Sequence, residues 1–135
     1  MSVETINPAG VYAPSHYSQV SVCRGSRTVY LSGQVSVDPS GALIGKDDFA
    51  AQAEQVYRNV GAALKGVGAT FQDVAKLTVF VPGWTPDKME LLIAGAMRAA
   101  EDIGFDPLRP ITLIGVAALS SPDHLIEVEA IAVLD

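Results

Sequence analysis

The chain has 135 residues, enough for one domain of ordinary size with one hydrophobic core. Its 49% hydrophobic and 18% charged content excludes a disordered chain. A net charge of −6 argues against a surface for nucleic acid or for anionic lipid, so residues 1–135 are expected to form one acidic domain that binds neither.

In chain order, the first ordered signals are two β-rich runs, 18–24 and 28–31, separated by Gly25-Ser26-Arg27. A short link containing glycine reads as a hairpin. The second run continues through Ser32-Gly33-Gln34 into Val35-Ser36-Val37, where Gly33 signals a bulge or a close backbone approach. Asp38-Pro39-Ser40-Gly41 reads as a turn. Over 47–67 the apolar side chains Phe49, Ala53, Val56, Tyr57, Val60, Leu64 and Val67 recur every three or four residues and predict an amphipathic helix. The β-branched run 74–81 predicts a strand ending at Pro82-Gly83. Thr85-Pro86 opens a second helix with a stripe at Met89, Leu92, Ile93, Ala96, Ala100 and Ile103, and Gly104 stops it. Two strands follow over 111–119 and 125–134.

The order is ββ-α-β-α-ββ, an α+β two-layer domain in which both helices cover one face of a mixed sheet. That arrangement leaves the other sheet face bare, and a second copy of the chain is its simplest cover.

Several kinds of chemistry are missing from the sequence. No phosphate loop, dinucleotide fingerprint or nucleophile elbow occurs. His16 and His124 are more than a hundred residues apart and lack neighbours at zinc-ligand spacing. Cys23, the single cysteine, reads as a small core residue. No cofactor and no metal are expected. The N-terminus does not read as a signal peptide and no apolar run is long enough to span a membrane, so a cytoplasmic location is expected.

The last strand carries the most information. Ile126, Val128, Ala130, Ala132 and Leu134 point to one face, and Glu127, Glu129, Ile131 and Val133 to the other. A neighbouring subunit over the second face would place a carboxylate in a crevice suited to proton transfer. The bland alternative is a strand end that emerges into water or pairs with a cation. Arg109, just before the preceding strand, is the candidate positive partner, either for these groups or for a substrate carboxylate.

Three segments resemble the Rid (reactive intermediate deaminase, YjgF-like) family: Leu31-Ser32-Gly33-Gln34, the run from Lys76 to Val81, and above all Ile126-Glu127-Val128-Glu129-Ala130-Ile131-Ala132-Val133. The resemblance is collinear over about 15–133. It implies a chorismate-mutase-like fold and a homotrimer whose sheets form a central barrel with pockets at the subunit clefts. It also implies cofactor-free hydrolysis of small enamines and imines. By the same resemblance Glu127 holds the attacking water, and Tyr17, Ser32 and Gly33 line the substrate site. The family's carboxylate-binding arginine falls on Arg109 when counted from the Asp106-Pro107 turn, and on Ile111 when counted back from Gly115-Val116-Ala117-Ala118-Leu119.

Three functions remain open at this stage. The first is an imine or enamine deaminase releasing ammonia, with Glu127 and Arg109 in the roles above. The second is a relative acting on another, less anionic small substrate by hydrolysis or tautomerisation, with Ile111 in an apolar pocket. The third is a trimeric ligand-binding protein without catalysis.

Overall fold

The computed structural model describes residues 2–104, 106 and 108–135. A four-stranded mixed sheet has the order β3-β6-β4-β5, built from β3 (Arg27–Gln34), β4 (Val74–Pro82), β5 (Ile111–Val116) and β6 (Glu127–Leu134). β6 runs antiparallel to both neighbours, and β4 pairs in parallel with β5. Two helices, α1 (Phe49–Gly66) and α2 (Met89–Ile103), pack on the sheet, as the element order predicts.

α1 begins where Asp48 accepts a hydrogen bond from the Ala51 amide at 3.0 Å, which satisfies one of the helix's unpaired N–H groups. Its stripe of Ala53, Val56, Tyr57, Val60 and Leu64 is buried against Leu77, Val79, Val128, Ala130 and Ala132 of the sheet. Val67, counted in the predicted stripe, lies past the last turn and is exposed. The Thr85-Pro86 signal opens a short 3-10 turn (Pro86–Lys88) that leads directly into α2, and α2 ends at Gly104 as predicted.

α2 differs from its predicted stripe. Leu92, Ala96 and Ala100 are buried as expected, while Met89 and Ile103 are exposed and Gly95 and Ala99 are buried instead. The cause is the approach of the helices: a Cβ at Gly95 would overlap the Ala50 carbonyl and the Ala53 side chain of α1. The small residues of α2 therefore turn toward α1, where the backbones nearly touch.

The N-terminal region departs furthest from expectation. Residues 18–24 do not form a hairpin with β3. Their strand, β2 (Val20–Cys23), pairs antiparallel with an unpredicted strand, β1 (Val3–Ile6), in a separate two-stranded sheet. The Ser21 hydroxyl donates to the Ala75 carbonyl at 2.7 Å and ties this ribbon to the start of β4. Cys23 is exposed on β2 and not in the core, because the ribbon stands apart from the main sheet.

Gly95→Ala is expected to destabilise the protein by about 1–3 kcal/mol through overpacking, read as a lower denaturant midpoint at unchanged m-value. An unchanged midpoint would mean that the helices do not rely on this close approach.

Candidate active site

The period-two alternation of β6 sorts its side chains onto two faces. Ile126, just before the strand, and Val128, Ala130, Ala132 and Leu134 are buried under the helices. Glu127 and Glu129 lie on the helix-free face and are half-buried. Glu127 stands opposite Phe80, which stands opposite Ile114, and Glu129 stands opposite Thr78, itself opposite Thr112. Tyr30, Ile131 and Val133 extend the same face, and Tyr30 is 76% exposed. The helix-free face is mixed: Tyr30, Phe80, Ile114, Ile131 and Val133 share it with Glu127, Glu129, Lys76, Thr78 and Thr112.

Glu127 meets β3 at an interruption in the ladder. Leu31 pairs with Ala130, but the next pair is Gln34 with Val128, so Ser32 and Gly33 form the bulge that Gly33 predicts. A Cβ at position 33 would occupy the space of the Glu127 carboxyl group. The carboxylate therefore lies directly against the Gly33 backbone, with the exposed Ser32 beside it.

Tyr17 and Ile111 are brought together elsewhere. Both line a cavity of about 770 Å³ between α2 and the β5 side of the sheet, whose walls include Leu92, Ile93, Leu113 and Tyr57. Ile111 pairs with Leu77, a fully buried core residue, so its side chain faces the helices. Three residues along β5 and two strand spacings separate it from Glu127, roughly 14 Å, with the sheet between them. His16, which has no neighbours at zinc-ligand spacing in the sequence, also lines this cavity. Tyr57 and Leu92 appear in the sequence simply as members of helix stripes, and nothing distinguishes a stripe residue beside a cavity from one in solid packing.

Arg109 joins neither group. The residue is 5% exposed and lines a neighbouring cleft of about 540 Å³ with Val3, Glu4, Thr5, Gln72 and Asp106, the last of which also borders the Tyr17 and Ile111 cavity. The backbone is pinned there: the Ser18 amide donates to the Arg109 carbonyl at 3.2 Å, and the Leu77 amide to the Pro110 carbonyl at 2.9 Å. Among the described residues the guanidinium Nε has no hydrogen-bond partner. Burial pushes its pKa down, opposed by the charges of Asp106 and Asp73. Within one chain Arg109 lies five residues before the Ile114 position level with Glu127, and two strand spacings away, roughly 19 Å in strand geometry and too far to pair with it. Of the Asp106-Pro107 turn used to place it, Pro107 lies outside the described residues. No group of three or more His, Cys, Asp or Glu suited to a metal ion occurs among the described residues.

The sequence matches the family profile described as Endoribonuclease L-PSP over residues 9–134. The chain belongs to this family, the Rid or YjgF-like proteins. The crystal structure of the Rid family protein YyfB of Yersinia pestis superposes with a TM-score of 0.86 at 36% identity, covering 99% of this chain and 100% of that one. A RutC family protein of Synechocystis is 30% identical over 99% of this chain and 98% of its own length. The human 2-iminobutanoate/2-iminopropanoate deaminase is 35% identical over 58% of this chain and 55% of its own. The match spans about half the length of the mammalian deaminases it reaches.

In this Rid protein Tyr57 forms part of the cavity wall, its ring stacked on Phe71 with centroids 6.3 Å apart. Burial pushes its phenol up to about 12. The unfolded chain loses that proton near pH 10 while the folded chain keeps it, so stability falls as pH rises from about 10 toward 12. Tyr57→Phe is expected to flatten this alkaline decline, measured by urea unfolding at a series of pH values. An identical decline in the variant would show that the phenol is not the group responsible.

Proposed function

We propose that this chain is a cofactor-independent imine and enamine hydrolase that releases ammonia, and that it works as a homotrimer. The observation that carries the reading is the Glu127 carboxylate, held on the helix-free sheet face against a glycine with no room for a side chain. The deaminase names of relatives support the reaction class.

The chemistry needs little apparatus. Water adds to the carbon of a C=N bond while Glu127 accepts its proton, and the nitrogen is protonated to give a carbinolamine. Collapse of that intermediate breaks the C–N bond, expels ammonia and leaves a carbonyl group. An enamine enters the same route after protonation at carbon. Positioning the water and supplying one acid–base group account for such a step, since a protonated imine is already electrophilic.

A lone chain leaves Glu127 on an open face. In the trimer a neighbouring copy covers that face and brings its own apolar cavity, with Tyr17 and Ile111, toward the carboxylate. Water is thereby excluded and the acid–base group works in a crevice. The apolar side chains Tyr30, Phe80, Ile114, Ile131 and Val133 on that uncovered face support an association of this kind.

The placement of Ile111 favours a second reading of the substrate. The cavity's described lining contains no lysine or arginine, and Arg109 lines the neighbouring cleft. A substrate with an apolar group and no clamped carboxylate fits that wall better than a small 2-imino acid does.

Ammonia release from imines generated enzymatically from several amino acids tests both readings. Glu127→Gln is expected to lower turnover by about a hundredfold or more. Arg109→Ala is expected to leave kcat/KM within about threefold, with imines of large apolar side chains turned over fastest. Full activity in Glu127→Gln would refute the hydrolase mechanism, and a hundredfold loss in Arg109→Ala would return that guanidinium to the substrate site.

A further inference from the structure

The interruption in the β3–β6 ladder lies opposite Glu129, and pairing resumes at Gln34–Val128, one residue before the position of Glu127. Between the Leu31–Ala130 and Gln34–Val128 pairs the backbone ladder skips, and Gly33, within the skip, meets the Glu127 carboxylate. Ser32 and Gly33 themselves lack ladder pairs, and α1 holds the segments on either side of them.

Two carboxamides on α1 lie seven residues apart, on one helix face and about 10 Å along the axis. Gln52 is 0% exposed. Its Nε2 donates to the Gly45 carbonyl at 3.1 Å and to the Asp123 carbonyl at 2.9 Å, and its Oε1 accepts from the Leu125 amide at 2.9 Å. Gln52 thus clamps the segment that enters β6, two residues before Glu127. Asn59 is half-buried, and its Nδ2 donates to the carbonyls of Val35 and Val37, both at 2.9 Å. Its Oδ1 accepts from Gln55 Nε2 at 2.8 Å, which fixes the orientation of the amide. Asn59 thus clamps the segment that leaves β3, two residues after Gly33.

Both amide hydrogens of each side chain are used, and each is directed at main chain. Neither residue is explained by helix propensity or by core packing, because burying a carboxamide is favourable only when its hydrogen bonds are made. We propose that Gln52 and Asn59 are positioning residues for the Glu127 site. Through the two segments they hold, one rigid helix sets the separation between the Glu127 carboxylate and the Ser32-Gly33 backbone, the surface on which the attacking water sits. The inference rests on the reading of Glu127 as the acid–base group.

The test uses Gln52→Met and Asn59→Leu in the full chain, which keep side-chain volume and remove the clamps. Folding is verified by circular dichroism, and both turnover and the resonances of the Glu127 side-chain carboxyl carbon and the Gly33 amide are recorded. Misplacement of the acid–base group is expected to lower kcat by about tenfold or more with KM within roughly threefold, and to shift both resonances. A merely structural role would lower the melting temperature and leave kcat and the two resonances in place, and that result overturns the proposal. Should Asn59→Leu fail to fold, Gln55→Ala, which removes the hydrogen bond that orients the Asn59 amide, is expected to move the same resonances less, in the same direction. Should Gln52→Met fail to fold, Gln52→Glu, which keeps the shape and loses the Nε2 donors, takes its place. If Glu127→Gln proves fully active the hydrolase reading fails by itself, and the resonances still decide positioning: unmoved, they overturn it.

Discussion

One strand in the middle of the sheet constrains everything around it. β6 is paired on both edges, so its side chains can go only up or down, and its alternation leaves no freedom in which go where. A slip of one residue would carry Glu127 and Glu129 into the core beneath α1 and bring Val128, Ala130 and Ala132 out. Two carboxylates buried without partners would cost several kcal/mol each, comparable with the whole net stability of a domain of this size. The register is therefore held by the penalty for burying carboxylates as much as by the gain from burying aliphatic groups. The helices must lie on the aliphatic side, and the carboxylates must face whatever lies on the other.

That division places the ingredients of a site on opposite sides of one sheet. The carboxylate and its glycine neighbour are on the helix-free face, while the apolar cavity with Tyr17 and Ile111 is on the helix side of β5. No side-chain rotation joins them within a chain, since a layer of packed strands lies between. The proposed trimer would bring these two separated groups together at the boundary between copies. Closing such a boundary removes water from a carboxylate and strengthens its interaction with a developing charge.

Most of the fold is legible in the sequence because it is carried by local periodicity. α1, α2, β4 and β6 each repeat their pattern long enough to be read, and Gly33 marks its own bulge. β1 has four residues and a partner fourteen positions beyond its end, so no local signal marks it. Local signals pair the β2 run with its neighbour in sequence, whereas its partner, β1, is decided by long-range packing. Arg109 lies between the end of α2 and the start of β5, where counts from the two sides disagree by two residues. Gln52 and Asn59 are invisible to hydrophobic periodicity for a different reason: a buried amide is polar in sequence, and only its three-dimensional partners reveal why it lies inside.

Subunit complementation tests the central claim, that the site is divided between copies. Glu127→Gln removes the carboxylate, and Ile93→Trp fills the cavity on α2; each variant alone is expected to be nearly inactive while remaining trimeric by light scattering. Unfolding and refolding the two together makes mixed trimers in which some clefts combine an intact Glu127 from one copy with an intact cavity from its neighbour. The account predicts that ammonia release returns in the mixture and not in either variant refolded alone. Mixed trimers that assemble yet stay inactive would contradict it and place the whole site within a single chain.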